Sequence, residues 1–214
     1  MAGIQWLSAF LASINGGGGG GGDTFVSSFV SHTLTGDYTI DATTIGSYAF
    51  YYNGAVPSST PTPIDPLSIT APNATIIKDY VFQNAQNLKY LDAPLAVATD
   101  GRQAFEGCTV MEWVHIKSGM GYRMFYNCQN LKLFAYGRTD VVPGYDSNAF
   151  YNTPIRSGTG HVLVPRDQIS SYESATGWSG IVEAGTQFHA LEDYTVDGTV
   201  DGLLDRAKIA PLLA

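Results

Sequence analysis

Five phenylalanines recur through the middle of this chain, each at the end of the same kind of short apolar phrase: Ala49-Phe50, Val81-Phe82, Ala104-Phe105, Met124-Phe125 and Ala149-Phe150. The steps between them are 32, 23, 20 and 25 residues. A period in the low twenties is too short for a domain and suits one coil of a solenoid, whose coils bury their apolar faces only by stacking. One large residue per coil then forms a continuous spine, here Phe50, Phe82, Phe105, Phe125 and Phe150.

The phrase continues beyond each Phe. Phe105 leads through Gly107 and Cys108 to Met111, Val114 and Ile116; Phe125 leads through Asn127 and Cys128 to Leu131, Phe134 and Tyr136; Phe82 leads through Asn84 and Ala85 to Leu88, Leu91 and Ala93. The closing apolar-x-apolar pair has period two, which predicts a short strand with one face inward. The Asn or Gly two places after Phe predicts a tight turn, because both residues tolerate left-handed backbone. The outer phrases, at Phe50 and Phe150, are degraded, as expected of end coils that shield the stack from water.

The composite phrase resembles the BspA-type leucine-rich repeat over about residues 38–156. Ile45-Gly46-Ser47-Tyr48-Ala49-Phe50 matches the opening of that repeat, Phe125-Tyr126-Asn127-Cys128-Gln129-Asn130-Leu131 its middle, and Leu88-Lys89-Tyr90-Leu91-Asp92-Ala93-Pro94 its end. An insertion at Pro57–Pro66 accounts for the 32-residue step. Ala, Phe and Tyr stand at several strand positions that the family fills with Ile, so an irregular stack is expected. The resemblance implies a recognition or scaffolding surface. It also implies an inward cysteine column that needs no disulfide, so Cys108 and Cys128 read as buried thiols, with a bridge between neighbouring coils as the alternative.

The 214 residues suffice for one domain with appendages. A hydrophobic content of 44% supports a core, and a net charge of −8 leaves no basic footprint for nucleic acid and no attraction to anionic membranes.

Two ends flank the repeats. Residues 3–14 place Ile4, Leu7, Leu11 and Ile14 on one helical face, widened by Trp6 and Phe10. The run is too short to span a membrane, and no Lys or Arg precedes it as in a signal peptide. It reads as a docking helix (residues 1–15), or as one that folds back on the repeats. Gly16–Gly22 would then be a flexible tether, with an r.m.s. span of roughly 15 Å.

After the solenoid (residues 23–156), a strand at Gly160–Pro165 and a helix over Arg166–Thr176, with Asp167 as N-cap, predict a C-terminal cap (157–193) closed by Trp178 and Ile181. The pattern Val164, Pro165, Ile169, Tyr172, Ala175, Thr176 and Trp178 is similar to the closing segment of such repeat proteins in Firmicutes and their phages. Residues 187–199 resemble a tail recurring in prophage-encoded proteins of gut Firmicutes. The remaining tail (194–214) carries Leu203, Leu204, Ile209, Leu212 and Leu213, a second docking element by composition.

No catalytic constellation stands out. His32, His115, His161 and His189 lack metal-ligand spacing, no nucleophile elbow occurs, and the glycine run lacks the Lys-Ser/Thr of a phosphate loop. Asp92, Asp100, Glu106 and Glu112 would have to pair for glycoside hydrolysis, but read more simply as solvated acids. No cofactor or metal is implied. With Leu91, Val114 and Phe134 inward, Tyr90, Trp113 and Leu133 point outward in one column, beside Asp92 and His115. If exposed, that column suits sugar stacking or a protein contact; the alternative is that the inserted loop or a neighbouring subunit covers it. A second column, Tyr51, Gln83, Glu106, Tyr126 and Tyr151, reads as a buttress of the coils.

The expected fold is an irregular, strand-rich leucine-rich-repeat solenoid of α/β type, with a small strand–helix cap and a tethered N-terminal helix. The expected function is non-enzymatic: a bacteriophage virion fibre, decoration or baseplate protein. It would be held to other virion proteins or to itself by residues 1–15, with a host-surface glycan or protein as ligand. The alternative is a bacterial cell-surface or secreted adhesin.

Overall fold

The apolar-x-apolar pairs become strands because each pair offers one face to the core and leaves its backbone to bond the coils above and below. The computed structural model describes residues 25–26, 36–47, 50, 67–98, 102–140, 142 and 146–214. The expected docking helix with its six apolar residues, the expected glycine tether, Tyr51 and the Pro57–Pro66 insertion lie outside the described residues.

Ten strands form one sheet: β1 (Phe25–Val26), β2 (Gly36–Thr39), β3 (Thr44–Ile45), β4 (Leu67–Thr70), β5 (Ile76–Ile77), β6 (Leu88–Ala98), β7 (Trp113–Ser118), β8 (Leu133–Tyr136), β9 (His161–Val164) and β10 (Gln187–Ala190). Every pairing between them is parallel, as successive coils of a solenoid require. Early coils carry two short strands each. The long β6 joins both ladders, bonding β4 with its first half and β5 with its second. Its pairing with β7 is irregular between Ala93 and Val97, where Pro94 interrupts the run. Proline has no N–H to give a ladder, so the strand bends there.

The turn side is also a ladder. The Phe50, Phe82, Phe105 and Phe125 amides donate to the carbonyls of Val81, Ala104, Met124 and Ala149 in the next coil, at 2.8–3.0 Å. The side chains inside form the expected spine: successive rings from Phe50 to Phe150 lie 4.8–5.3 Å apart and within 18° of parallel. Trp178 closes the stack at 6.0 Å from Phe150, tilted by 62°.

The expected left-handed turn residues are present: Asn84, Gly107, Asn127 and Asn152 have φ of 59°, 75°, 62° and 58°. At Gly107 a Cβ would stand 2.3 Å from Asn84 Oδ1 of the preceding coil, so the smallest residue fits that step of the ladder. A second left-handed row, Tyr80, Gln103 and Arg123, lies two residues before Phe82, Phe105 and Phe125. Cys108 and Cys128 are buried free thiols, each donating to the carbonyl of the previous coil's Phe at 3.0 Å. Burial, with the neighbouring Cys128, pushes the Cys108 thiol well above its usual range.

The sheet continues through β9 and β10, inside the segment 157–193 expected to be a cap. Helix α1 (Pro154–Ser157) is N-capped by Thr153, whose oxygen accepts from the Arg156 amide at 3.1 Å. The helix expected over Arg166–Thr176 is shorter and differently capped. A 3-10 turn spans Arg166–Gln168, and α2 covers Ile169–Ser174 with Gln168 as an N-cap that makes no side-chain bond. Asp167 is therefore not a cap, because it lies inside the 3-10 turn rather than at the boundary of either element. Helix α3 (Trp178–Glu183) buries Trp178 and Ile181.

Candidate binding surfaces

The register places the outward column as the alternation requires. Tyr90, Trp113 and Leu133 are paired across β6, β7 and β8, and Asp92, His115 and Ala135 are paired two residues further on. Tyr90 and Trp113 stack at 4.3 Å and 6°. The column is not exposed. Tyr90 is 5%, Trp113 3% and Leu133 0% exposed, and Asp92 and His115 are buried with them. They belong to a second apolar cluster, separate from the spine, completed by Ala135, Leu163, Leu191, Leu204 and Ile209.

What covers them is the chain's own C-terminal tail, the segment whose composition had suggested a second docking element. Thr195 and Leu204 bridge antiparallel, making a small hairpin. Helix α4 (Arg206–Ile209) follows, N-capped by Asp205, which accepts from the Ala207 amide at 2.9 Å. Leu204 and Ile209 are buried against the column, with Leu212 and Leu213 packed beside them. Polar contacts pin the tail along its length. The Leu204 amide donates to Asp92 Oδ2 at 2.9 Å, Lys132 Nζ donates to the Leu213 carbonyl at 2.6 Å, and Lys117 pairs with Asp201. Arg206 lies over the Tyr90 ring at 4.6 Å and meets Asp37 at 3.3 Å.

Asp92 and His115 therefore serve the clasp. The Asp92 carboxylate accepts from His115 Nδ1–H at 2.9 Å with one oxygen and from the tail amide with the other. This fixes the imidazole tautomer, and His115 Nε2 finds no hydrogen-bond partner among the described residues. A nucleophile within reach, which would make the pair a catalytic dyad, is not among these contacts. Glu106 pairs with Arg123 at 2.6 Å and Glu112 with Lys89 at 3.4 Å; Asp100 lies outside the described residues. Among the described residues no three His, Cys, Asp or Glu side chains come together as a metal site.

A histidine pair that spacing alone did not suggest sits at the end of the sheet. His161 on β9 and His189 on β10 approach at 3.0 Å, Nδ1 to Nε2, and the Tyr194 ring meets His189 edge-on. Burial lowers both pKa values, and at His189 the neighbouring His161 lowers it further. Parallel pairing across a 28-residue gap brings the two together.

The turn side carries the exposed aromatics. Tyr122 and Tyr151 are 51% and 50% exposed. Tyr151 stacks on Tyr126 at 4.8 Å and 14°, and the Arg123 guanidinium lies 3.9 Å from the Tyr126 ring centre. Gln83 donates to Glu106 at 3.0 Å, so the expected second column does run from coil to coil.

No curated protein and no solved structure gives a significant match to this chain. The model of the BspA type leucine-rich repeat region matches residues 43–164 in six copies, reaching through β9 beyond the segment that the repeated phrase marks out. With the match spanning more than half of its length, the chain belongs to the BspA-type leucine-rich-repeat family.

Proposed function

We propose that the chain is a non-enzymatic attachment protein of a bacteriophage particle, a fibre, decoration or baseplate component whose repeat stack presents a recognition surface. The observation that carries the reading is the one-sidedness of the stack. Its sheet face is largely covered by the chain's own tail, while its turn face carries two exposed tyrosines, Tyr122 and Tyr151, the second stacked on Tyr126. A module with one covered face and one exposed face is suited to display. The apolar residues 1–15 and the glycine run would seat it on the particle. The resemblance of residues 164–178 to the closing segment of such repeat proteins in Firmicutes and their phages, and of residues 187–199 to a tail of prophage-encoded proteins, favours the particle. The repeat family itself equally fits a bacterial cell-surface or secreted adhesin.

Immunogold electron microscopy of purified particles and of producing cells, with full-length chain and with residues 1–22 deleted, tests this. Label on particles, lost on deletion while the melting temperature is unchanged, is the expected result. Label only on the cell envelope selects the adhesin. A deletion variant that still mounts on particles overturns the role of the arm, and label on neither overturns the attachment reading.

A further inference from the structure

We propose that the turn face holds a saccharide subsite, built on the Tyr151 ring and selective for acidic sugars through Arg156. The inference rests on the attachment reading and names the ligand class that the module would recognise.

Beside the last repeat lies an open groove of about 490 Å³, lined by Gln129, Tyr151, Asn152, Pro154, Arg156 and Ser157. That size falls in the range of small-ligand sites. Its aromatic wall is rigid before any ligand arrives. Tyr151 is backed by Tyr126, Tyr126 by Arg123, and Arg123 is held by Glu106. A half-exposed ring fixed by stacking presents its free surface at little entropic cost, which suits the C–H face of a pyranose.

The rest of the wall supplies what a sugar's hydroxyls need. Gln129 is an exposed amide. Asn152 is held by its bond to Asn127 Oδ1 at 3.1 Å. The Ser157 hydroxyl donates to the Pro154 carbonyl at 3.2 Å, which leaves its oxygen able to accept. Among the described residues, Arg156 is the one charged side chain on the wall. It is anchored through Nη1 to the Ser147 carbonyl at 3.3 Å, with further N–H donors to offer. In a chain of net charge −8, a groove whose only charge among the described residues is a guanidinium is a local exception, and guanidinium binds carboxylate in bidentate fashion.

A shallow single site gives weak affinity, and copies displayed on one particle or surface would raise it. The full-length chain is titrated with methyl glucuronide and methyl glucoside by saturation-transfer NMR, and is applied to an array of acidic and neutral glycans. The expected result is binding of both sugars, about tenfold tighter for the acid at low salt. Tyr151→Ala should lose about tenfold or more toward both sugars. Arg156→Gln should keep the glucoside and lose the preference for acid. Tyr122→Ala, equally exposed and outside the groove, should change nothing. Absence of binding to either sugar and to every array glycan overturns the proposal, as does unchanged binding by Tyr151→Ala in a chain shown folded by circular dichroism. Capture of aromatic or acidic peptides in place of sugars also overturns it. If the chain is found mounted on particles or cells yet binds no glycan, the saccharide site fails and the attachment reading stands. If it binds glycans but is found on neither, the reverse holds.

Discussion

Phe105 sits between Phe82 and Phe125, 5.3 Å from each ring, and is fully buried. Its removal would leave a void that neither stacked neighbour can fill without breaking its own contacts. Phe105→Ala or Phe125→Ala is therefore expected to cost about 3–5 kcal/mol. Tyr126, one residue along and half-exposed, keeps only its stack with Tyr151 and the Arg123 guanidinium, and Tyr126→Ala is expected to cost about 1 kcal/mol. Denaturant melts of the three variants measure the difference, and equal losses would contradict the assignment of inward and outward positions. Residue type carried this information because the constraint is periodic: Phe, Cys and Asn each recur at one place in the coil. The left-handed row at Tyr80, Gln103 and Arg123 was not readable, since none of those side chains signals positive φ.

Among the elements, the pairing of β9 with β10 holds a pH dependence. A distance of 3.0 Å between His161 Nδ1 and His189 Nε2 allows one proton between the two nitrogens; a second would aim two N–H groups at each other. Both pKa values are lowered from the ordinary 6.5, first by burial. The unfolded chain therefore takes up protons more readily than the folded one. Stability that is fully present above pH 6.5 is lost as the pH falls through that value toward the lowered ones. Melting temperatures between pH 7.5 and pH 5 (about one unit above and one and a half below the usual histidine value) should fall with acid, and His189→Gln should flatten that fall. A wild-type curve that is flat or rises with acid would contradict the geometry.

The strands were legible because the period-two pattern fixes which side chains share a face. The identity of the element covering the outer face was not. The bond from the Leu204 amide to Asp92 joins residues 112 apart in the chain, and the leucines of the tail announce burial without naming the surface. The sequence reading of Tyr90, Trp113 and Leu133 thus had the right face and left its cover open between the inserted loop and a neighbouring subunit, where the tail stands.

Over the whole molecule, among the described residues, the tail covers most of the sheet side and leaves Tyr122 and Tyr151 exposed on the turn side, and the proposed function depends on that division. Hydroxyl-radical footprinting of the full-length chain in solution, read residue by residue by mass spectrometry, tests it most directly. Tyr122 and Tyr151 should be modified at rates near those of free tyrosine, while Tyr90 and Trp113 should be protected until the chain unfolds. If Tyr90 and Trp113 react as fast as Tyr122 and Tyr151 in the folded chain, the tail does not cover the sheet, and the aromatic column of β6 and β7 takes the place of the turn side as the proposed recognition surface.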